Sequence, residues 1–344
     1  MNGDTSSTGG RQPSAALDDL MTLVDAFVPP RAADDRASAE AVADAERVSR
    51  TWSSDEPGAL RPGSDAHRRA FCAMFRETFN PYRPSVIAWP KLSPEELHRL
   101  TALPIWDIAV KTEGQARLRF AAYAKSVDDA EMRSVIMLNA WEEDRHKQVL
   151  SRLVETYGIA VDPEPAYDVP RDVEWGYLLT GFSECIDSFF AFGLFDMARR
   201  SGFFPAELVE TFEPVIQEEC RHILLFANWL AWYRARLTAW QRLRFELRVV
   251  GVWIHIAYLR VGLARTIDKK EAPRNDNFTV HGARAVSPVT IGFRDLLSVC
   301  LSENGRRFAG YDSRLARPAA IPFLARMVLG ITGLWGRRKA VPRG

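Results

Sequence analysis

Two copies of the pattern Glu-Glu-x-Arg-His occur in the chain, at residues 142–146 and 218–222. In an α-helix, residues three positions apart lie on one face, so the second glutamate of each copy shares a face with the histidine. A carboxylate and an imidazole placed in this way bind one divalent transition-metal ion. The two copies therefore predict two half-sites, Glu143 with His146 and Glu219 with His222.

Each copy is preceded, one predicted helix earlier, by a lone interior glutamate, Glu113 or Glu184. Counting residues from the two hairpin turns near Val127 and Phe203, at ~1.5 Å per residue, places the four glutamates within ~8 Å of one level. Six side chains from four helices then meet in one place. The predicted metal ligands are Glu113, Glu143, His146, Glu184, Glu219 and His222.

The donor types indicate which metals such a site would hold. Four carboxylates and two imidazoles carry a charge of about −4, which about two divalent cations balance. Structural zinc favours thiolates, and calcium favours loops with oxygen ligands only. The donor set therefore predicts two iron ions, with manganese as the alternative metal at one of the two positions.

A third Glu-x-x-His pair, Glu95 with His98, lies beside the sequence Ser93-Pro94-Glu95-Glu96. That sequence is a capping box with proline in the first turn, and it predicts the start of a short helix. We interpret this third pair as a solvated helix start that matches the metal pattern by chance.

The remaining charged residues of the two metal motifs need another role. We interpret Glu142 and Glu218 as exposed groups or as groups that support the ligands, because the Glu-x-x-His spacing selects their neighbours. Arg145 and Arg221 are expected to point away from the metals and to pair with surface or interhelix carboxylates, since a buried cation beside a metal ion is costly.

Four long helical patterns position these motifs, at residues 104–126, 128–157, 172–201 and 205–236. Tight links join the first two and the last two, so each pair is expected to be antiparallel. The middle link of about 14 residues can extend over ~45 Å, enough to return along the whole bundle. Hairpin, long crossover and hairpin predict an all-α, ferritin-like four-helix bundle over residues 104–236.

The rest of the chain is expected to surround this bundle. Residues 1–16 are rich in Gly, Ser and Thr and predict a disordered lead, and residues 17–103 predict N-terminal accessory helices. Residues 237–344 predict a basic, apolar helical extension. Up to residue 230 the chain has 37 acidic and 24 basic residues, whereas residues 231–344 have 7 and 21. The overall charge of +1 therefore hides two oppositely charged parts.

Composition also excludes several classes of protein. No basic stretch with interleaved aromatic residues favours nucleic-acid binding. The four cysteines are widely spaced, which excludes a disulfide framework and a rubredoxin-type iron site. No signal peptide and no transmembrane helix are predicted, so a cytoplasmic location is expected. The basic extension is expected either to cap the bundle, to dock an acidic electron donor, or to touch the inner face of a membrane.

The ligand pattern over residues 104–236 resembles that of the ferritin-like di-iron carboxylate superfamily, which has Glu, Glu-x-x-His, Glu and Glu-x-x-His on four helices. The resemblance implies that Glu113 and His146 are terminal ligands of one iron and that Glu184 and His222 are terminal ligands of the other. It implies bridging roles for Glu143 and Glu219. It also implies O2 as a cosubstrate.

Within that superfamily, the sequence favours the oxygenases and oxidases that act on small or hydrophobic organic molecules. Ser188, one turn after Glu184, is similar in placement to a hydroxyl residue of bacterial di-iron monooxygenases. Asp187 and Tyr177 are further catalytic or supporting candidates, with Asp187 expected to orient a ligand histidine. The alternative is an iron-binding ferroxidase or storage protein.

No nucleotide-binding glycine motif occurs, so a separate ferredoxin or reductase is the expected electron donor. We expect the protein to act as a monomer or homodimer.

Overall fold

The structure is a computed structural model, which describes residues 15–29, 39–84, 87–103, 105–164, 167–202, 204–267 and 293–339. Within these residues the chain forms eleven helices and no strand, which confirms the all-α prediction. The helices are α1 (Ala15–Asp25), α2 (Ala39–Ser49), α3 (Asp65–Glu77), α4 (Pro94–Thr101), α5 (Trp106–Lys125), α6 (Ala130–Thr156), α7 (Val173–Ser201), α8 (Ala206–Arg236), α9 (Ala239–Ile267), α10 (Phe293–Phe308) and α11 (Ala320–Lys339).

The four long helices α5 to α8 begin and end within two residues of their predicted bounds. Side-chain caps explain two of the starts: Asp129 accepts a hydrogen bond from the backbone of α6, and Asp172 accepts one from the backbone of α7. Helix α7 ends at Gly202, whose φ of 64° is the left-handed conformation that glycine adopts most readily. The predicted capping box at Ser93 is also present, at the start of α4.

The long helices pack as two hairpins, α5 with α6 and α7 with α8, and α5 also packs against α7. Apolar side chains from all four helices fill the space between them, among them Leu118, Ile136, Leu178 and Leu224. The α7–α8 contact is very close at Gly181, where an added Cβ would lie only 2.3 Å from the ring of Phe226. The residues that carry the predicted ligands are therefore held on closely packed helices.

Shorter helices cover the outside of these hairpins. Helix α3 packs against α6 and α8, and α1 packs against α5 and α6. On the other side, α9 and α10 pack against α7. Of the predicted disordered lead at residues 1–16, residues 1–14 lie outside the described part of the chain, and α1 begins at Ala15.

Helix α7 is the one described helix that is long and apolar enough, by length and composition, to cross a membrane. More than half of its most apolar stretch is buried inside the protein. Its apolar character is therefore explained by its central position, where it contacts α5, α8, α9 and α10.

Candidate metal centre

Glu143 and His146 of α6 face Glu219 and His222 of α8, and ligand atoms of these four residues lie within 4.8 Å of one another. The Nδ1 atom of His222 is 2.8 Å from a carboxylate oxygen of Glu143, and the Nδ1 atom of His146 is 3.3 Å from one of Glu219. The two imidazole rings lie side by side, with their centroids 5.3 Å apart. The two predicted half-sites thus form one buried cluster that could hold metal ions.

Several buried atoms of this cluster have no hydrogen-bond partner within the described chain, namely Nδ1 of His146, Nδ1 of His222 and Oε1 of Glu143. The 2.8 Å approach of His222 to Glu143 is not aligned as a hydrogen bond. Buried polar atoms without partners are rare in folded proteins, because losing hydration without a replacement is costly. Metal ions that accept these lone pairs would remove that cost, so the donor set fits the predicted group.

The opposite nitrogen of each histidine is bound by a carboxylate from the other helix. Nε2 of His146 lies 2.8 Å from Glu218 of α8, and Nε2 of His222 lies 3.0 Å from Glu142 of α6. A carboxylate that accepts the Nε2 proton fixes the tautomer and leaves the Nδ1 lone pair facing the cluster. Glu142 and Glu218 are buried, so the interpretation of these residues as exposed groups is wrong and the supporting role is the one observed.

The two arginines of the motifs neutralise these supporting carboxylates. Arg221 donates to Glu142 over 2.7 Å, and Arg145 donates to Glu218. Both contacts join α6 to α8, which confirms the expected interhelix pairing. Both arginines are nevertheless buried, whereas the cost of a buried cation predicts that none lies near the centre. A buried charge pair of this kind balances its charge locally and fixes the geometry of both partners.

The segment after α3, residues 78–82, holds the buried arginines and Glu218 in place beside the cluster. The sequence patterns did not predict this role. Arg145 also donates to the backbone carbonyls of Asn80 and Tyr82, and the hydroxyl of Tyr82 donates to Glu218 over 3.0 Å. Arg221 donates to the hydroxyl of Thr78 over 2.8 Å. Residues 78–82 follow α3 and carry no motif, so only their position in the fold identifies them.

Glu113 of α5 and Glu184 of α7 lie next to the four-residue cluster. Desolvation and the negative charges of Glu143 and Glu219 raise the pKa of Glu113 well above its usual range. Desolvation and the same two charges also raise the pKa of Glu184 well above its usual range. Both carboxylate oxygens of Glu184 are buried without a partner in the described chain. Their role as ligands stays a prediction that these positions favour.

In the metal-free protein, the pKa values of Glu143 and His222 are shifted in opposite directions. Burial opposes ionisation of Glu143, but the positive charge of His222 outweighs this effect and lowers the pKa of Glu143 to about 2. Burial likewise opposes the charge on His222, and the charge of Glu143 outweighs it and raises the pKa of His222 to about 9. At neutral pH the ring of His222 is therefore protonated in the metal-free protein, and a metal ion would have to displace this proton.

The three predicted catalytic residues lie in different surroundings. Ser188 donates a hydrogen bond of 3.1 Å to Glu219, so it touches the cluster. Asp187 pairs with Arg260 of α9 over 2.7 Å, whereas both histidine Nε2 atoms are bound by the motif glutamates. The expectation that Asp187 orients a ligand histidine is therefore wrong. Tyr177 is buried and stacks on Tyr123, with centroids 4.1 Å apart, away from the described cavity wall.

A cavity of about 1310 Å³ lies beside the cluster. Helices α5, α7 and α8 contribute most of its wall, and α6 and α9 contribute smaller parts. The wall includes Glu113, Glu143, His146, Glu184, Ser188 and Glu219. Apolar side chains such as Leu103, Phe195 and Phe212 line much of the remainder. A site of this size and character accommodates an organic molecule.

The third Glu-x-x-His pair, Glu95 with His98, has the same spacing as the two metal motifs but does not form a metal-binding cluster with other described side chains. Glu95 and His98 are both exposed on α4, as predicted from the capping box. They belong to no described group of metal-binding side chains.

Comparisons with protein-family models, with curated proteins and with solved structures find no match to this chain.

Proposed function

We propose that α5 to α8 form a ferritin-like bundle that holds two iron ions, and that the protein is an oxidoreductase that uses O2 to oxidise a small or hydrophobic organic molecule. The observation that carries this proposal is the pair of histidine Nδ1 atoms that face two shared carboxylates beside a large, mainly apolar cavity. Glu113, Glu143, His146, Glu184, Glu219 and His222 would hold the two ions, with manganese as the alternative at one position.

Two iron ions held together supply the electrons that reduce O2 while an organic molecule is oxidised. The side chains of this chain have separate tasks in that reaction. Glu142 and Glu218 keep each histidine in the tautomer that presents Nδ1. Ser188 holds one carboxylate oxygen of Glu219, and the apolar cavity wall limits the water around the reacting groups.

The position of the accessory helices supports an enzyme rather than a storage cage. Helices α1 and α3 cover one side of the bundle, and α9 and α10 cover α7 on another. A ferritin-type shell would need outer faces of the bundle for contacts between copies. We therefore propose a monomer or homodimer that is located in the cytoplasm and receives electrons from a separate ferredoxin or reductase.

The experiment that tests this function measures O2 consumption by the iron-loaded, chemically reduced protein. We expect rapid consumption by the wild type, a loss of at least tenfold in Glu143→Ala, and no change in Glu95→Ala, because Glu95 belongs to the exposed motif. Negligible consumption by the iron-loaded wild type would contradict the proposal. So would a large hollow assembly that accumulates mineral iron, which size-exclusion chromatography detects.

A further inference from the structure

Helix α9 is apolar on two opposite faces. One face packs against the bundle through Phe245, Val249, Val252 and Ile256, which are all buried. The other face exposes six large apolar side chains to between 50 and 74 % of their surface: Trp240, Leu243, Leu247, Val250, Ile254 and Tyr258. We call these six residues the outer α9 stripe.

The spacing of the outer α9 stripe makes it continuous. At about 100° per residue the six side chains fall within an arc of about 80°, and from Trp240 to Tyr258 the stripe is about 27 Å long. A surface helix normally has polar residues on the face opposite its core contacts. A contiguous apolar surface of this length marks a contact with another molecule or with a membrane.

The charged residues around the outer α9 stripe indicate which kind of partner it binds. Helix α9 has five arginines and one acidic residue, Glu246, which Arg234 and Arg242 share. Two further arginines of α9 are paired with carboxylates near or on α7: Arg248 with Asp172 and Glu174, and Arg260 with Asp187. Arg244 lies over the ring of Trp240 at 5.0 Å and makes no ion pair within 4.0 Å in the described chain. Arg244 therefore places a positive charge beside the stripe that no described carboxylate balances.

We propose that the outer α9 stripe binds an anionic lipid surface, with the helix lying in the membrane plane. An interfacial helix combines an apolar face with flanking basic residues, and Trp and Tyr favour the headgroup region. A symmetric contact between two copies would bring the unbalanced charge of Arg244 from both copies into one interface, which is unfavourable. An anionic membrane buries the same apolar surface and attracts Arg244.

The wall of the cavity includes residues of the same helix. Ile256 and Leu259 of α9 line the cavity, and Leu259, about 100° around the helix from Tyr258, is 42 % exposed. If the proposed oxidation holds, which this paragraph alone assumes, the mainly apolar cavity wall favours an apolar substrate, the class of molecule that a lipid phase dissolves.

Vesicle flotation with the full chain tests the membrane contact. We expect binding to vesicles that contain phosphatidylglycerol, weaker binding to pure phosphatidylcholine, and a decrease as salt rises. Replacing Leu247→Ser or Ile254→Ser removes an apolar group from the contact and should weaken binding about tenfold or more. Arg244→Gln should weaken binding to the anionic vesicles only.

Leu23→Ser, at an apolar residue of α1 that is 40 % exposed, is the control outside the stripe and should bind like the wild type. Far-UV circular dichroism and the unfolding midpoint establish that each variant is folded. Absence of wild-type binding to anionic vesicles would overturn the proposal. A stripe variant that binds vesicles normally but turns a wild-type dimer into a monomer would also overturn it and would assign the stripe to a second copy. None of these readouts requires bound metal, so failure here is distinct from failure of the proposed oxidation.

Discussion

The Nε2 atom of His222 on α8 lies 3.0 Å from a carboxylate oxygen of Glu142 on α6. The reciprocal contact joins His146 of α6 to Glu218 of α8 over 2.8 Å. Each Glu-Glu-x-Arg-His motif therefore offers two candidate ligands to the centre and one supporting carboxylate to the histidine of the other motif. This exchange explains why the first glutamate of each motif is buried beside the predicted ligands.

Removing the charge of a supporting carboxylate should weaken metal binding without removing a ligand. For Glu142→Gln and for Glu218→Gln we expect a loss of 10- to 100-fold in iron(II) affinity, because an uncharged amide oxygen is a weaker acceptor for the histidine Nε2 proton than a carboxylate and makes the ring a weaker ligand. Competition with a coloured chelator measures this affinity. The exposed Glu95→Gln variant is the control, and a supporting variant that binds iron as tightly as this control would show that the contact has no role in binding.

The buried arginines should matter for stability even when no metal is present. Arg221→Met removes the closer of the two arginines that pair with the buried Glu142 and leaves Arg145 at 3.5 Å, and a loss of ~3–5 kcal/mol in the free energy of unfolding is expected. Urea unfolding of the metal-free protein measures this loss. The double variant Arg221→Met/Glu142→Gln should recover part of it, because the carboxylate that lost its closer arginine is gone. Equal stability of the single variant and the wild type would contradict the structural role of the pair.

The spacing of apolar and polar residues was sufficient to predict the four long helices, because their caps and breaks are local. Asp129 and Asp172 cap the helices next to them in the sequence, and Gly202 ends its own helix. The meeting of Glu143, His146, Glu219 and His222 was also predictable, since helix periodicity and loop length determine their level.

Contacts between distant segments escaped the sequence analysis for a physical reason. Tyr82 reaches Glu218 because the segment after α3 lies against α6 and α8, and no local pattern encodes that path. The sequence position of Asp187 predicts a contact with a ligand histidine, whereas Arg260 of α9, 73 residues later, pairs with it. Which of several nearby charges a carboxylate meets depends on tertiary packing rather than on spacing.

Metal affinity and metal-free stability should depend on pH in opposite directions. His222 has an ordinary pKa of ~6.5 when unfolded and of about 9 in the folded, metal-free protein. Its contribution to stability is therefore complete below ~6.5 and is lost as the pH rises through about 9. Metal ions require the unprotonated ring, so their affinity should rise over the same interval.

Urea unfolding of the metal-free protein and chelator competition, both as a function of pH, measure the two trends. In His222→Ala the fall in stability over this interval should be smaller than in the wild type. A metal-free protein that becomes more stable between these pH values would contradict the assignment of the raised pKa to His222.

Ser188 should affect the centre through one oxygen of Glu219. Ser188→Ala removes a hydrogen bond to a charged acceptor, and iron affinity should fall by about tenfold. Ser183→Ala is the matched control, because Ser183 lines the same cavity one and a half turns earlier on α7. Equal losses in both variants would indicate a general effect on the cavity rather than a role of the Ser188 contact.

The central claim, that the two motifs form one site for two metal ions, is tested most directly by metal analysis of protein loaded anaerobically with iron(II) and freed of excess metal. We predict about two iron ions per chain in the wild type and in the exposed-motif variant Glu95→Ala/His98→Ala, and fewer than about one in Glu143→Ala/His222→Ala. Circular dichroism of each protein establishes that the helices are retained. A folded wild type that holds well under one ion per chain, or a folded Glu143→Ala/His222→Ala variant that holds as much iron as the wild type, would contradict the claim.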